Sequence, residues 1–147
     1  MLEKKSEANL EIAKVCLDKE DEVFYSVGAS RAYYTIFQAT KYLLEKKCFD
    51  YKSFKMNNPR ISKQKDYSHE SIRKALKYFL LNNGFDNQDD LIFIKEMCAT
   101  FNKLYNLRIL ADYEDVCISK KYLEESIIRA EMFINKLKKY NRLRRNL

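Results

Sequence analysis

The chain has 147 residues and a formal charge of +7, and 46% of its residues are hydrophobic. This length fits one domain that can fold without disulfide bonds or a structural metal. The share of hydrophobic residues excludes a chain that is disordered throughout. Only two glycines and one proline are present. Because tight turns draw on these two residue types, their scarcity excludes a turn-rich all-β fold. We therefore expect a single all-α domain over residues 1–147.

The sequence lacks the signatures of several classes of protein. The N-terminal stretch MLEKKSEANLEIAK is charged throughout, and no run of about 18 apolar residues occurs. There is no G-x-x-x-x-G-K-[ST] or G-x-G-x-x-G loop, the four cysteines form no C-x-x-C pair, and His69 is the only histidine. We expect a cytoplasmic protein without metal or cofactor and away from membranes, with reduced cysteines in its core.

Two helices are predicted in the first third of the chain. The first covers residues 2–19 and has a short apolar face. The second covers residues 22–47 and is capped by Asp21. Side chains spaced by four and three lie along one face of a helix. On the second helix this stripe consists of Val23, Val27, Ser30, Tyr34, Phe37, Lys41 and Leu44.

Residues 49–67, FDYKSFKMNNPRISKQKDY, have no helical period and contain the only proline of the chain. A loop of this length in a compact domain is usually functional or mobile. We therefore predict a loop here and expect disorder in it before anywhere else. The segment also carries a cluster of cations, which consists of Lys52, Lys55, Arg60, Lys63 and Lys65.

Three further helices are predicted after this segment. The third is capped by Ser68 and ends near residues 82–84, and its inward side chains are Ile72, Leu76, Phe79 and Leu80. The fourth covers residues 88–110, and its stripe is Leu91, Ile94, Cys98, Phe101, Tyr105, Arg108 and Asp112. The fifth is capped by Ser119, and its seam is Leu123, Ile127, Ala130, Ile134 and Leu137. We predict an up-and-down bundle of four to five helices, with the second, fourth and fifth at its centre and the others on its flanks.

The chain ends in a basic region, residues 136–147, with six basic residues and no acid. Such a region attracts nucleic acid or an anionic surface, or it extends the last helix into solvent. The residues that would contact nucleic acid are Lys138, Lys139, Arg142, Arg144 and Arg145.

A full charge falls on the core face of the fourth helix, in the stretch YNLRILADYED. Arg108 shares this face with Phe101 and Leu104, and an unpaired charge buried there would be strongly destabilising. Asp112 follows at the spacing where helical side chains meet. Arg108 therefore either forms an ion pair with Asp112 that closes the helix end, or reaches water in a cleft.

The second helix carries a polar patch within GASRAYYTIFQAT. Ser30 lies on the core stripe, with Arg31 and two tyrosines, Tyr33 and Tyr34, beside it. Buried polar groups need hydrogen-bond partners. These partners are one another, a group of the fourth helix such as Asp112 or Tyr113, or a second subunit.

The two polar stretches together resemble the HEPN superfamily. SRAYYTIFQATKYLL, followed about seventy residues later by LRILADYED, is similar to the small bacterial and archaeal branch with an R-x-x-A-D-Y signature. His69, in YSHESI, falls where that branch often has a histidine. The resemblance covers roughly residues 2–140. It implies an all-α bundle of four to five helices and a homodimer packed through the two long central helices.

Many HEPN proteins are metal-independent ribonucleases with an R-x4-6-H motif, and the dimer brings the arginines and histidines of its two copies together. The arginine corresponds to Arg108, but positions 113–115 hold Tyr113, Glu114 and Asp115, and no histidine follows. Metal-free RNA cleavage needs a group that titrates near neutral pH, which arginine does not provide. Tyr113 and His69 are the candidate substitutes, His69 only if the fold brings it beside Arg108. Catalytic activity is therefore left open.

Three alternative functions remain, of which we favour the first; the first two follow from the resemblance, and the third follows from the basic C-terminal region. In the first, this protein is the HEPN half of a toxin–antitoxin-like pair whose other half is a small nucleotidyltransferase. The HEPN half would be non-catalytic or weakly catalytic and would bind a nucleotide or RNA in a dimer cleft. That cleft would be lined by Ser30, Arg31, Tyr34, Arg108, Asp112 and Tyr113. The second is a ribonuclease with a divergent site centred on Arg108. The third is a helical scaffold that binds through residues 136–147.

Overall fold

The computed structural model describes residues 2–84, 87–114 and 116–143, with side chains described for residues 3–139 of these ranges. Within them it contains six α-helices and one 3-10 helix. These are α1 (Leu2–Leu17), α2 (Glu22–Lys46), α3 (Tyr51–Met56), the 3-10 helix (Pro59–Ile61), α4 (His69–Asn82), α5 (Gln88–Tyr113) and α6 (Lys120–Leu143). The predicted all-α bundle is confirmed, with six α-helices in place of four to five.

The centre of the bundle is α2, which packs against α1, α4, α5 and α6. Twelve of its 25 residues are buried. A helix that is buried on most sides has no single apolar stripe. The predicted stripe on α2 is accordingly wrong at its first two positions, Val23 and Val27, which are 70% and 43% exposed.

The most extensive helix–helix contact joins α1 to α2, and α1 also packs against α6. The prediction that the first helix lies on a flank is therefore wrong. The reason is the small size of the residues between the two helices, since Ala13 and Cys16 are both buried. Ser6 adds a buried hydrogen bond from its Oγ to the carbonyl oxygen of Thr35, at 2.8 Å. Small residues allow two helix backbones to approach closely.

Gly28 on α2 allows α6 to approach at the same level. A Cβ atom at this position would lie 2.8 Å from Cδ1 of Leu123 and 3.0 Å from Cβ of Cys16. Leu123 itself is fully buried. The absence of a side chain at residue 28 therefore makes room for the first turn of α6.

The buried face of α5 follows steps of three and four and consists of Ile94, Met97, Phe101, Leu104 and Arg108. The predicted stripe is wrong at its start, because Leu91 is 47% exposed. On α6 the predicted seam is confirmed at Leu123, Ile127, Ala130 and Leu137, while Ile134 is half-buried. Phe133, which the prediction omitted, is buried instead.

Three helix starts are capped by the residues that the sequence predicts. The side chain of Asp21 accepts a hydrogen bond from the backbone N–H of Val23, and Oγ of Ser119 accepts one from Tyr122. Ser68 and Ser71 form a reciprocal capping box at the start of α4. Each cap satisfies backbone donors that have no partner within the helix.

The prediction of a loop at residues 49–67 is wrong. The segment forms α3 and the 3-10 helix, and it is anchored by three buried side chains, Tyr51, Phe54 and Ile61. Tyr51 and Phe54 are one helical turn apart, so both point toward the core. A helix of six residues is too short to establish a period in the sequence, which explains why the pattern was missed.

The cysteines occupy both the core and the surface. Cys16 is buried and Cys98 is half-buried, but Cys48 and Cys117 are exposed, so the prediction of core cysteines is wrong for those two. Among the described residues, no helix has the length and apolar character needed to cross a membrane.

Candidate functional site

Arg108 occupies a core position of α5, one turn before the helix ends. Its side chain is only 8% exposed. The face of α5 that carries Phe101 and Leu104 into the core also carries Arg108, because these residues are spaced by three and four. The charge therefore lies at the edge of the core and needs polar partners.

Those partners come from two helices. Nε of Arg108 donates to Oδ2 of Asp112 at 3.1 Å. Nη2 donates to the hydroxyl oxygens of Tyr34 at 3.1 Å and of Tyr113 at 3.2 Å. Among the residues that the structure describes, Nη1 has no hydrogen-bond acceptor. The predicted ion pair with Asp112 is therefore present, and it is one of three hydrogen bonds that hold the guanidinium.

Asp112 joins α5 to the polar patch of α2. Its Oδ2 atom also accepts a hydrogen bond from Oγ of Ser30, at 3.1 Å. Ser30 is 3% exposed, whereas the side chain of Asp112 is 31% exposed. The same carboxylate oxygen thus stabilises a buried hydroxyl and a buried cation while its outer side faces solvent.

Three tyrosine rings surround the guanidinium. The distances from Cζ of Arg108 to the ring centroids are 5.9 Å for Tyr33, 5.4 Å for Tyr34 and 5.2 Å for Tyr113, which is the range of cation–π attraction. Burial acts to lower the pKa of Arg108, but the nearby oxygens of Tyr34, Tyr113 and Asp112 outweigh it and raise this pKa. Arg108 therefore carries a full positive charge at neutral pH.

The cluster reaches the surface through Tyr113, which is 68% exposed. Arg31 lies beside the ring of Tyr34, with its guanidinium 5.3 Å from the centroid of that ring. Nη1 of Arg31 donates to Oδ1 of Asn9 on α1 at 3.3 Å. All six residues predicted for the cleft therefore lie together, with Arg31 connected to the others through the ring of Tyr34.

His69, the first residue of α4, contacts Tyr33, whose ring also lies beside Arg108. Oη of Tyr33 and Nδ1 of His69 share a hydrogen bond of 2.7 Å. Burial, followed by the charge of Arg108, lowers the pKa of His69 below its ordinary value of 6.5. Burial also raises the pKa of Tyr33 well above its ordinary value. At pH 7 both groups are therefore neutral.

An open groove of about 220 Å³ runs past His69. Its other lining residues are Glu70, Arg73, Phe101 and Tyr105. Arg73 also donates from Nη1 to Oδ1 of Asn102, and this hydrogen bond ties α4 to α5. The groove thus offers an imidazole, a cation and an aromatic ring to a ligand.

The sequence analysis did not assign Tyr33 and Arg73 to this site. Tyr33 is fully buried and contacts both Arg108 and His69, and Arg73 lies in the groove. Tyr33 was predicted as part of the polar patch of α2, but not as a residue of the cleft. Arg73 carried no signal, because it is one of many exposed cations in the sequence.

The basic C-terminal region is only partly described. Lys138 and Lys139 are exposed on α6, and the side chains of Arg142, Arg144 and Arg145 lie outside the described residues. Asp115, one of the three residues at the positions where the R-x4-6-H motif would have its histidine, also lies outside them. Within the described part of the chain, no three His, Cys, Asp or Glu side chains converge as a metal site requires.

Comparison with known proteins places the chain in a family. No protein-family model matches it. Two proteins of Methanocaldococcus jannaschii are similar to it over most of its length. The one named "Putative toxin MJ0605" is 30% identical over 135 residues, which are 91% of this chain and 81% of that protein. The one named "Putative toxin MJ0142" is 30% identical over 138 residues, which are 92% of this chain and 76% of that protein. This chain belongs to their family.

The similarity to this toxin-named family includes the candidate site. A continuous match of 91% of 147 residues leaves about 13 residues uncovered. Residues 30 to 113 therefore fall within it wherever the match begins.

Proposed function

We propose that this protein is the HEPN-type toxin half of a toxin–antitoxin-like pair and binds a nucleotide or a segment of RNA in a cleft between two copies of the chain. Its partner in this proposal is a small nucleotidyltransferase. The whole chain, residues 1–147, acts as one HEPN-like domain. The family relatives that are named toxins support the setting, and the geometry around Arg108 supports the site.

One observation carries the binding role, namely the way in which Arg108 is held. Nε and Nη2 are fixed by Asp112, Tyr34 and Tyr113, so the guanidinium has one orientation, and Nη1 keeps its donors. A guanidinium matches the geometry of a phosphate group, and fixing it in advance lowers the entropy lost on binding. The exposed ring of Tyr113 beside it offers a face on which a base can stack.

Apolar surface next to the site supports the second copy of the chain. Val23, Val27 and Val116 are all exposed, and they line an open groove of about 290 Å³ together with Asp112. Contiguous exposed apolar side chains mark interaction surfaces more often than they mark free surface. A partner seated there would cover the valines and enclose the outer side of the Arg108 cluster.

A mononucleotide titration tests the binding role. We expect AMP or GMP to bind the wild type in isothermal calorimetry and to bind the Arg108→Gln variant at least about tenfold more weakly, because a charge-assisted contact to phosphate is lost. Lys95→Gln, an exposed cation on the same helix, is the matched control. Equal affinity of the wild type and Arg108→Gln would remove the site from the proposal.

Sedimentation velocity tests the dimer. The wild type should sediment as two chains of 17.6 kDa each, and Val27→Glu should sediment as one, because a buried charge opposes association. Ile128→Glu places the same charge on α6, at a residue that is 56% exposed, and should leave the dimer intact. A monomeric wild type would contradict the cleft.

The partner is tested by co-expression. If the neighbouring reading frame encodes a small nucleotidyltransferase, the two proteins should co-purify, and the nucleotidyltransferase should suppress growth inhibition by this chain. A neighbouring nucleotidyltransferase that neither binds the chain nor alters its effect on growth would oppose the pairing.

The position of His69 favours one alternative, a metal-independent ribonuclease. A neutral imidazole can accept a proton, and His69 contacts the same tyrosine ring as Arg108. In this alternative Arg108 stabilises charge on the phosphate, and His69 or Tyr113 transfers the proton. RNA cleavage in the presence of EDTA by the wild type, and its loss in both His69→Gln and Arg108→Gln, would support it. Intact RNA after incubation with the wild type would reject it.

A further inference from the structure

The segment of residues 49–67 presents a basic surface that the Arg108 site does not use. We define this basic surface by four exposed cations, Lys52, Arg60, Lys63 and Lys65. None of them forms an ion pair with a residue that the structure describes. The fifth cation of the segment, Lys55, is neutralised by Asp66 at 2.6 Å. The basic surface therefore carries four uncompensated charges.

These charges are held in place by a packed structure. Phe54 and Ile61 are 1% and 0% exposed, and the ring of Phe54 lies 5.3 Å from that of Tyr78 on α4. The ring of Tyr51 lies 4.5 Å from that of Tyr67. Like charges on a rigid scaffold repel one another, whereas a flexible loop would let them separate. An anionic partner removes this repulsion.

The basic surface continues toward His69. Arg60 and Lys74 line one cavity of about 240 Å³. Nζ of Lys74 lies 3.2 Å from Oε1 of Glu70, and Glu70 lines the groove that contains His69 and Arg73. A chain of contacts therefore leads from Arg60, one of the four cations, to the groove beside the Arg108 cluster.

The composition of the surface selects its partner. Met56 is the one large apolar side chain exposed in residues 49–67. A protein interface has an apolar centre, and a membrane-binding surface inserts apolar side chains, so neither partner is favoured. A nucleic acid needs only cations for its phosphates. The groove at His69 and Tyr105 has half-buried rings, which unpaired bases can reach and paired bases cannot.

We infer that the basic surface binds the phosphate backbone of single-stranded RNA and directs the strand into the groove at His69. The choice of RNA over DNA rests on the proposed function, whereas the choice of a single strand rests on the groove. Binding at this surface is separate from nucleotide binding at Arg108.

Fluorescence anisotropy with an unstructured labelled RNA of about 16 nucleotides tests the inference. The variant Lys52→Gln, Arg60→Gln, Lys63→Gln, Lys65→Gln removes four exposed charges. A matched control, Lys4→Gln, Lys5→Gln, Lys120→Gln, Lys121→Gln, removes four exposed charges from α1 and α6. Both retain the C-terminal basic region, and circular dichroism verifies that both retain the wild-type fold.

We expect the first variant to bind RNA at least about tenfold more weakly than the wild type, with a salt slope reduced by about 2 to 3 between about 50 and 200 mM salt. The control should stay within about twofold of the wild type, because its charges lie elsewhere. Equal losses in both variants would mean that net charge alone attracts RNA, and no loss in the first variant would mean that the surface is unused. Either result overturns the inference.

Two further arms identify the partner and separate this inference from the proposed function. Duplex RNA that binds as tightly as the single strand, or phosphatidylserine vesicles that bind while RNA does not, would overturn the choice of single-stranded RNA. Arg108→Gln should lower the salt slope for RNA by no more than about 1, the loss of a single phosphate contact, and the fourfold variant should keep its affinity for mononucleotide. Loss of mononucleotide binding alone would contradict the proposed function at Arg108. Loss of the effect of the basic surface on RNA binding alone would contradict this inference.

Discussion

Arg108 and Asp112 form an ion pair whose partners are buried to different degrees. The distance from Nε to Oδ2 is 3.1 Å, and the side chains are 8% and 31% exposed, respectively. Arg108 therefore depends more on its partner than Asp112 does. Removing the carboxylate leaves a cation inside the protein, whereas removing the cation leaves a carboxylate that water can reach.

The first prediction concerns this asymmetry. Asp112→Ala should lower the free energy of unfolding by about 2 to 3 kcal/mol, and Arg108→Gln by about 1 kcal/mol. Asp112→Asn keeps an oxygen acceptor and should fall between them. Urea denaturation of the three variants provides the measurement. A larger loss in Arg108→Gln than in Asp112→Ala would mean that the guanidinium is less buried than described.

The second prediction concerns the pH dependence of stability. The pKa of His69 is lowered in the folded state, so the unfolded state binds the proton more readily. The free energy of unfolding should therefore be highest above the ordinary pKa of 6.5 and should decrease as the pH falls from there toward the lowered pKa. Glu70, whose pKa is also lowered, has an ordinary value of 4.5 and acts in a more acidic range.

Urea titrations of the wild type and of His69→Phe at pH values from about 7.5 to 5.5 test this prediction, since His69 is the only histidine. The decrease should be present in the wild type and absent in the variant. NMR titration of the single imidazole gives its folded-state pKa directly. A folded-state value above 6.5 would reverse the expected sign.

The third prediction tests whether residues 49–67 are packed. Phe54→Ala should cost about 3 kcal/mol of stability, because the side chain is 1% exposed among aromatic neighbours. Met56→Ala, two residues later and 75% exposed, should cost less than about 0.5 kcal/mol. Similar small losses at both positions would indicate that the segment is not anchored to α4.

The fourth prediction concerns the close approach at Gly28. Alanine would improve helix propensity by about 1 kcal/mol, but its Cβ would lie 2.8 Å from Cδ1 of Leu123. Overpacking typically costs about 1 to 3 kcal/mol, so we expect a net loss of about 1 kcal/mol for Gly28→Ala. In a thermal double-mutant cycle with Leu123→Val, the combined loss should be smaller than the sum of the single losses. Stabilisation by Gly28→Ala would contradict this packing.

The sequence predicts long helices well because their periods and caps are local. The positions of α4, α5 and α6 and the caps at Asp21, Ser68 and Ser119 depend on residues a few positions apart. It fails at α3, which is shorter than two turns, and at the placement of α1. The close packing of α1 on α2 depends on small residues that have no periodic signal.

The sequence predicted the part of the candidate site at which a charged residue interrupts the apolar face of a helix. Arg108 attracts notice because it interrupts an apolar face, and Asp112 lies at the spacing that compensates it. The packing of α4 against α5 brings Arg73 to the site, and the packing of α4 against α2 brings His69 to Tyr33. Contacts between residues 33 and 69 depend on tertiary structure, which one sequence does not encode as a local pattern.

The central claim is that this chain acts as a toxin through the Arg108 cluster, and growth of cells that express it tests this claim most directly. The wild type should arrest growth, and Arg108→Gln should not, at equal levels of folded protein, while Lys95→Gln should arrest growth like the wild type. Growth arrest by Arg108→Gln equal to that of the wild type, or normal growth with the wild type, would contradict the account.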